Sequence, residues 1–513
     1  MRSNAWIAAA VWAAGFLSIV LTIRDYGPVW DEGSDIVWAD GSVLGLVPKT
    51  PADWLLHPSF DRKFIERCWK PFDEHPPLTK ITTGLVHRFF HKRMGSIMSA
   101  RLSAAAFFAT LLTLVYLAMA SWVGRRAGLF AALSLGLMPR IFAHGHFAVT
   151  DIPITATCFA TIWAFEAALR RERLAPLAGL TWGLALLTKI NALFLPLAFV
   201  PYAVYERGRR SVAILGTMVG TAALVFLLCW PWVWFDTARR VLKLYSPVMD
   251  WAIHGAFVSH KCPPLYYFGK LYRSRFPISY PVVMTTITIP VGILAASFLG
   301  AATWVRRDRR AVLLLLVIGT QLALFLPPGV TKYDSERLFL PVFAFIACLA
   351  GAGFDWLCRR IARRWSKAAL PATLAIVLSQ GVGILTMHPL ELGYYNLLVG
   401  GVPGAHKLGL ETTYWGDSWN RELFGYLNSH LPDGARVAFF PRRLFDEFFF
   451  HADGYMKDSL TYCLLKDRPD YVVLFMRQGA ILGFEGAAPF LRAKPIFELR
   501  KQGVVFAAVY RGR

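Results

Sequence analysis

The feature that most constrains this chain is a series of long apolar segments that recurs over residues 1–387. A helix that crosses the hydrocarbon core of a bilayer needs about 17 to 25 mostly apolar residues. The candidate segments, some of them short, are 6–23, 102–123, 127–143, 154–169, 177–187, 192–205, 212–234, 282–305, 311–326, 339–356 and 369–387. The sequence therefore predicts an α-helical polytopic membrane protein with about eleven transmembrane helices.

The composition excludes several other classes of protein. Hydrophobic residues make up 56% of the chain and charged residues 17%, whereas a soluble domain carries about 25% charged residues. One water-facing surface cannot cover so many apolar segments. A disordered chain, a disulfide scaffold and a soluble enzyme with a single anchor are therefore excluded.

The net charge of +22 would suggest nucleic-acid binding in a soluble protein. Here the basic residues cluster in short loops after alternate apolar segments, at 125–126, 170–173, 207–210, 306–310 and 359–367. This distribution follows the rule that cytoplasmic loops of membrane proteins are rich in Lys and Arg. We therefore expect no nucleic-acid partner, and we assign these loops and the N-terminus to the cytoplasm.

An odd number of crossings from a cytoplasmic N-terminus puts the C-terminus outside the cytoplasm. The first apolar segment is interpreted as a retained anchor, because no clear small-residue cleavage site precedes Asp31. The protein is expected to lie in the plasma (inner) membrane, where membrane lipids contact its transmembrane helices. Two long outer loops, 24–101 and 235–281, are expected as well.

The C-terminal part of the chain has a different pattern. Short runs rich in Val, Phe and Tyr at 435–441, 470–476 and 504–509 predict β-strands, and 419–431 has helical spacing. We predict a transmembrane domain over 1–387 and a small extracytoplasmic α/β domain over 388–513.

Carboxylates follow two of the predicted spans on the outer side. Asp31 and Glu32 are adjacent after the first span, and Asp151 stands alone after the third. The simpler interpretations are a solvated acidic loop for the pair, and an N-cap for Asp151 ahead of the helix that opens near Pro153. Together the three acids are candidates for catalysis.

A Glu-His pair precedes two prolines in the first outer loop. His75 can donate a hydrogen bond to a phosphate, and Glu74 can bind a metal or orient a base. The amphipathic stretch that follows, 80–92, is also typical of a helix lying in the membrane interface.

Four basic residues break the charge rule because they lie at the outer ends of spans: Arg140, Lys189, Lys332 and Arg337. Each can be explained as a side chain that reaches the lipid headgroups. Together with the outer carboxylates they can instead hold an anionic lipid headgroup while one carboxylate stays free as a base. An ion-coupled transporter would often show internal symmetry, and the second half does not repeat the first.

Several short motifs follow one another in a fixed order: Asp31-Glu32, Glu74-His75-Pro76-Pro77-Leu78, Asp151 with Pro153, Leu186-Leu187-Thr188-Lys189, Trp230-Pro231-Trp232, Tyr394-Tyr395-Asn396-Leu397-Leu398-Val399-Gly400-Gly401 and Tyr414-Trp415-Gly416-Asp417. This ordered set resembles the protein O-mannosyltransferase and aminoarabinose-transferase superfamily, glycosyltransferase family 39 of the GT-C fold. The resemblance covers most of residues 31 to about 431. His75 departs from it, because the aminoarabinose transferases tend to have Lys there.

The resemblance implies that the transmembrane domain is catalytic. It implies transfer of a sugar from a polyprenyl-phosphate carrier to an acceptor hydroxyl on the outer face, with inversion at the anomeric carbon. The acceptor is left open among protein, lipid and polysaccharide. A divalent metal is also left open, with Glu74 as the candidate ligand.

Residue roles follow from the same resemblance. Asp31 is expected to be the general base, Asp151 the second acid that positions a substrate, and Glu32 a third carboxylate of the catalytic group. The donor phosphate is expected to contact basic side chains: His75, Lys189, Arg337, Lys332 and Arg140. The alternatives are a transferase that modifies lipid A or another glycolipid, a lipid flippase or transporter, and an assembly protein with a degenerate site.

Overall fold

The computed structural model describes residues 2–69, 76–254, 256–257, 264–441, 445–482 and 485–512. The predicted site residues Glu74 and His75 lie outside the described residues.

Helices dominate the first part of the chain because a backbone surrounded by lipid must satisfy its own hydrogen bonds. In order they are α1 (Arg2–Thr22), α2 (Glu32–Asp40), α3 (Pro51–Leu56), α4 (Arg62–Trp69), α5 (Leu78–Met94), α6 (Ser96–Trp122), α7 (Arg125–Gly136), α8 (Pro139–His144), α9 (Asp151–Arg170), α10 (Ala175–Leu186), α11 (Pro196–Arg207) and α12 (Ser211–Cys229).

The middle of the chain adds further helices and four very short strands. They are α13 (Thr237–His254), β1 (Ala256–Phe257), β2 (Leu265–Tyr267), β3 (Lys270–Tyr272), α14 (Tyr280–Thr288), α15 (Val291–Trp304), α16 (Arg310–Ala323), β4 (Gly329–Val330), α17 (Val342–Ala362), α18 (Ala369–Ser379) and α19 (Val382–Met387).

Each of the eleven predicted segments contains helix, but the count of eleven spans is not confirmed. Within the described ranges, six helical stretches are long and apolar enough to cross a bilayer, or seven if α14 and α15, bent by 112°, form one span. Helices such as α7 and α10 have 12 residues each. Such a helix is about 18 Å long, shorter than a hydrocarbon core of about 30 Å. The charge pattern marks the loops between segments but does not set helix length.

The helices pack into one apolar core that draws residues from α1, α6, α7, α9 to α12 and α15 to α18. Small residues permit the closest approach between two of these helices, α15 and α17. A Cβ atom on Gly300 of α15 would lie 1.8 Å from the carbonyl oxygen of Leu349, and one on Gly353 of α17 would lie 2.0 Å from that of Ala296. Glycine at these positions lets the α15 and α17 backbones touch, as in other membrane helix pairs.

The C-terminal part is an α/β unit, as predicted. Its elements are α20 (Gly401–Lys407), α21 (Arg421–His430), β5 (Arg436–Phe440), α22 (Asp446–Ala452), β6 (Thr461–Cys463), β7 (Tyr471–Phe475), α23 (Gln478–Ile481), α24 (Ala488–Leu491), β8 (Phe497–Lys501) and β9 (Val504–Arg511). The sheet order is β6-β5-β7-β9-β8. β5 is parallel to β6 and β7, whereas β9 is antiparallel to β7 and β8.

This C-terminal unit shares a core with the residues that follow α1. Ile36 and Val37 of α2 and Ile97 of α6 lie in one buried cluster with Trp419 and Phe439. The backbone also approaches closely here, since a Cβ atom on Gly27 would lie 1.5 Å from the carbonyl oxygen of Trp419. The position of the C-terminal unit is therefore fixed by buried apolar contact.

A polar contact at the same interface completes a helix end. Asp453 accepts hydrogen bonds from the backbone amides of Ser96 (2.7 Å) and Ile97 (2.6 Å), which open α6. The first amides of a helix have no partner inside the helix, so a carboxylate from elsewhere in the chain can serve as their cap.

We expect Asp453→Ala to lower the free energy of unfolding by about 1 kcal/mol, the usual cost of losing a cap. Thermal unfolding in detergent, followed by tryptophan fluorescence, measures the change. Asp458→Ala is the matched control because the Asp458 side chain is 99% exposed. Equal unfolding temperatures for the two variants would contradict the capping role.

Candidate functional site

The polar residues predicted to act together meet at one end of the helical bundle. Asp31 lies just before α2, Asp151 is the first residue of α9, Lys189 lies between α10 and α11, and Arg337 lies before α17. The chain between these four residues folds so that the helix ends that carry them lie next to one another.

Arg337 is the centre of the cluster. Its Nε donates to Asp151 Oδ2 at 2.7 Å, its Nη1 to Asp334 Oδ2 at 3.1 Å, and its Nη2 to Asp31 Oδ2. The guanidinium carbon lies 3.9 Å from the centroid of the Trp415 ring. One arginine thus links three carboxylates and rests on an aromatic face, a site for which its planar fork is suited.

Asp31 is the carboxylate of this set with the most access to solvent. Its side chain is 34% exposed, whereas that of Asp151 is fully buried. Asp31 accepts a hydrogen bond from Arg337 and a second one, of 3.0 Å, from Trp415 Nε1. The backbone amide of Trp30 donates to the carbonyl of Trp415 at 2.7 Å, so the two segments are joined twice.

Asp151 does not cap its helix through its side chain. Thr150 occupies the N-cap position, and both Asp151 oxygens face cations. Oδ1 accepts from Lys189 Nζ at 2.8 Å and Oδ2 from Arg337. Lys189 is 12% exposed and therefore does not extend toward the headgroups in this structure.

The C-terminal unit contributes a cation to the same network. Arg477, which follows β7, places Nη1 2.8 Å from Asp334 Oδ1 and Nε 3.3 Å from Glu411 Oε1. Asp334 therefore lies between Arg477 and Arg337. A buried chain of alternating charges runs from the C-terminal unit to Asp31.

Arg140 forms a second buried pair beside this network. It contacts Glu336, and its Nε donates to the carbonyl of Tyr394 at 2.9 Å. Tyr414 donates to Glu336 at 2.9 Å. Burial alone would raise the pKa of Glu336, but the attraction of Arg140 outweighs it and lowers that pKa to about 2. Arg140 is fully buried, so its contact with a phosphate stays a prediction.

His144 occupies the space between the two pairs. Its Nδ1 lies 3.8 Å from Asp151 Oδ2 and its Nε2 lies 3.8 Å from Glu336 Oε1. Both distances exceed that of a direct hydrogen bond. His144 therefore adds a buried polar ring between the carboxylates without binding either of them directly.

Glu32, predicted as a third catalytic carboxylate, faces away from this cluster. Arg101 Nε and Nη2 donate to its two oxygens, each at 2.7 Å. The backbone amide of Ala148 adds a bond of 3.0 Å. Glu32 and Arg101 are both fully buried. These contacts suit a residue that holds the loops around Asp31 in place, and the catalytic role of Glu32 stays a prediction.

Lys332 lies on the loop that leads to Arg337, but its ammonium turns back on the same loop. Nζ donates to the carbonyls of Pro327 (3.0 Å) and Val330 (3.4 Å). Burial lowers the pKa of Lys332 to about 8. Its predicted contact with a phosphate stays a prediction, as does that of His75.

A metal ligand set is not found in the described part of the chain, where no three or more His, Cys, Asp and Glu side chains form a group able to hold an ion. Glu74, the predicted ligand, is outside that part.

Several members of the cluster were not predicted as site residues. Asp334 lies two residues after the selected Lys332, and Trp415 belongs to the motif Tyr414-Trp415-Gly416-Asp417. Arg477 lies far from them in sequence and only folding brings it close. Asp35 is four residues from Asp31, and this helical spacing is a signal that places the two acids on one face of α2.

Comparison with known proteins agrees with this architecture. Residues 74–235 match the family model described as dolichyl-phosphate-mannose-protein mannosyltransferase. The chain is similar to an undecaprenyl phosphate-alpha-4-amino-4-deoxy-L-arabinose arabinosyl transferase of Pectobacterium carotovorum subsp. carotovorum (strain PC1), with 26% identity over 371 residues. That alignment covers 68% of this chain and 61% of the relative, so the match spans about three fifths of the relative's length.

The fold is also that of solved proteins. ArnT from Cupriavidus metallidurans bound to undecaprenyl phosphate superposes with a TM-score of 0.53 at 17% identity, over 99% of this chain and 97% of that one. Its apo state gives the same TM-score at 14% identity, over 99% and 98%. The chain therefore has the fold of ArnT, and its sequence is similar to a protein-mannosyltransferase family model and to an undecaprenyl-phosphate aminoarabinose transferase.

Proposed function

We propose that this protein transfers a sugar from a polyprenyl-phosphate carrier to an acceptor hydroxyl, with inversion at the anomeric carbon. The acceptor is a protein, a lipid or a polysaccharide of the cell envelope. The reaction takes place at the end of the bundle that carries Asp31, which we assign to the outer face of the inner membrane. On this assignment the N-terminus is cytoplasmic.

The observation that carries the proposal is the cluster of Asp31, Asp151, Lys189 and Arg337 at one end of the bundle. An inverting displacement needs a base near the acceptor hydroxyl and cations near the departing phosphate. Carboxylates and cations of this kind lie side by side here. The relative is named as an arabinosyl transferase of an undecaprenyl-phosphate-linked sugar, which supports the same class of donor.

The residues of the chain divide between the two substrates in this proposal. Arg337 and Lys189 stabilise the negative charge that develops on the phosphate as the bond to the anomeric carbon breaks. Asp151 holds both cations in place, because its two oxygens accept from them. Asp31, just before α2, takes the proton of the acceptor hydroxyl as the general base.

The acceptor class distinguishes two versions of the function. The matching family is described by a protein acceptor, whereas the name of the relative gives a donor sugar and no acceptor. Modification of lipid A or another glycolipid is the second candidate.

The test is transfer by the purified protein in lipid, with a panel of radiolabelled polyprenyl-phosphate sugars and extracted envelope acceptors. We expect label in one acceptor class with the wild type and none with Asp31→Asn. Label in glycolipid alone would select the second candidate. Absence of transfer by folded wild-type protein across the whole panel would contradict the proposal and favour lipid transport.

A further inference from the structure

Trp415 is a residue of the site to which no role has been given so far. It belongs to the connection between α20 and α21, and its side chain is buried. Its Nε1 donates to Asp31 Oδ2 at 3.0 Å, and the Arg337 guanidinium carbon lies 3.9 Å from the ring centroid. One indole therefore contacts both the proposed base and a cation proposed for the phosphate.

The backbone of Trp415 is held in an unusual conformation. Its φ angle is +65°, in the left-handed region that bulky residues rarely adopt. Such a conformation persists only where the surrounding structure fixes it, and it is common at functional sites. The Trp415 carbonyl accepts from the Trp30 amide at 2.7 Å. Further along the same connection, Ser418 donates to the Phe506 carbonyl of β9 at 3.1 Å. The indole is thus fixed between the segment before α2 and the C-terminal sheet.

The Asp31 carboxylate is held away from the helix that follows it. Asp31 stands at the N-cap position of α2, where an aspartate side chain normally accepts from the first amides of the helix. Within α2, all of which the structure describes, no amide donates to this side chain. Both hydrogen bonds that described residues donate to the carboxylate, from Trp415 and Arg337, end on Oδ2. The side chain is 34% exposed, so an acceptor hydroxyl can reach the other oxygen, Oδ1.

The two donors to Oδ2 differ in how many partners they have. Arg337 also binds Asp151 and Asp334, and in the proposed reaction it stabilises the charge on the phosphate. An indole has a single N–H donor, and that of Trp415 is given to Asp31. An orientation of the base that does not depend on the phosphate therefore has to come from Trp415.

We infer that Trp415 is the positioning residue of the base: its Nε1–H fixes Oδ2 of Asp31 and thereby directs Oδ1 toward the acceptor hydroxyl. This inference rests on the proposed function. As the hydroxyl oxygen forms its bond to the anomeric carbon, its proton passes to Oδ1. The bond from that carbon to the phosphate oxygen breaks, the electron pair stays on that oxygen, and polyprenyl phosphate leaves. Asp31 then releases the proton to water.

The first test removes the N–H and keeps an aromatic face. In Trp415→Phe a ring still lies against Arg337, but no indole N–H remains to donate to Asp31. We expect kcat to fall by about 10- to 100-fold, as for the loss of a hydrogen bond to a charged group. The KM for the donor should match that of the wild type, and so should equilibrium binding of undecaprenyl phosphate, because the cations proposed for the phosphate are unchanged.

Replacement of Trp415 by 3-benzothienylalanine isolates the N–H from the packing of the ring. This amino acid has the shape of tryptophan with sulfur in place of Nε1–H, so the contact with Arg337 is retained. We expect the same loss of kcat as in Trp415→Phe. Transfer at the wild-type rate by the protein with this replacement overturns the inference.

Trp419→Phe is the matched control, because Trp419 is equally buried but lies in the core of the C-terminal unit. Its kcat per folded molecule should equal that of the wild type, with the folded fraction taken from thermal unfolding in detergent. If both variants lose kcat equally, the indole of Trp415 acts through packing and the inference is overturned. A loss of undecaprenyl phosphate binding by Trp415→Phe that matches its loss of kcat overturns it too, because the indole then acts through the cations.

The outcomes separate the inference from the proposed function. Trp415→Phe with the kcat of the wild type overturns the positioning role and leaves the transferase in place. Failure of the wild type to transfer to any acceptor removes the proposed function and, with it, the role of Trp415, whatever the binding of undecaprenyl phosphate shows.

Discussion

Asp31→Asn should lower kcat for sugar transfer by at least about 100-fold while the protein stays folded. The asparagine has nearly the same shape and can still accept from Trp415, but it has no charge to hold Arg337. Arg337 would then shift toward Asp151 and Asp334 and lose the orientation that the phosphate requires. Transfer of radiolabel by the purified variant measures the effect.

The matched control for this variant is Asp458→Asn, which makes the same chemical change on a side chain that is 99% exposed. Thermal unfolding of both variants should agree with that of the wild type to within a few degrees. Turnover by Asp31→Asn close to the wild-type rate would show that Asp31 is neither the base nor the residue that positions Arg337.

Arg101→Gln should have the largest effect on stability. The substitution leaves Glu32 fully buried without the guanidinium that binds both of its oxygens. Breaking a buried ion pair from one side costs about 3 to 5 kcal/mol. Arg101 also donates to the backbone carbonyls of Ile23, Tyr26 and Gly27, so the segment between α1 and α2 would lose its anchor. Reversible unfolding in mixed detergent micelles measures the change.

Arg500→Gln is the control, because the Arg500 side chain is 50% exposed and its pair with Glu498 is a surface pair worth about 0 to 1 kcal/mol. Glu32→Gln decides the role of Glu32. We expect it to be destabilised as well, with activity lost only in proportion to the unfolded fraction. A Glu32→Gln protein that is as stable as the wild type but inactive would support the catalytic role predicted from sequence.

The sequence predicted secondary structure correctly where a local residue pattern is compatible with only one type of element. Apolar segments in a lipid environment must be helical, and the structure has helix in every predicted segment. The predicted strands correspond to β5, β7 and β9, because short continuous runs rich in Val, Phe and Tyr between turn residues fit a sheet that is buried on both faces. The predicted helix corresponds to α21.

Patterns without such a local signal were missed. β8 has the sequence FELRK, in which charged residues outnumber apolar ones, and β6 has three residues. Both lie at the edges of the sheet, where one neighbouring strand is enough and the side chains need little apolar character. The number of transmembrane helices could not be predicted from the sequence either. The charge of a loop indicates on which side of the membrane it lies, but it does not determine the length of the neighbouring helix.

For the site, the sequence determined which residue types stand at the ends of the spans, because acids and bases near a membrane surface are conspicuous in an apolar chain. Only the tertiary structure decided their partners. Asp31 and Glu32 are adjacent in sequence, yet one meets Arg337 and the other Arg101, because successive side chains at a helix start point in different directions. Asp35, one turn further on, meets neither. Ion pairs depend on distances across the fold, and those are set by how the helices pack.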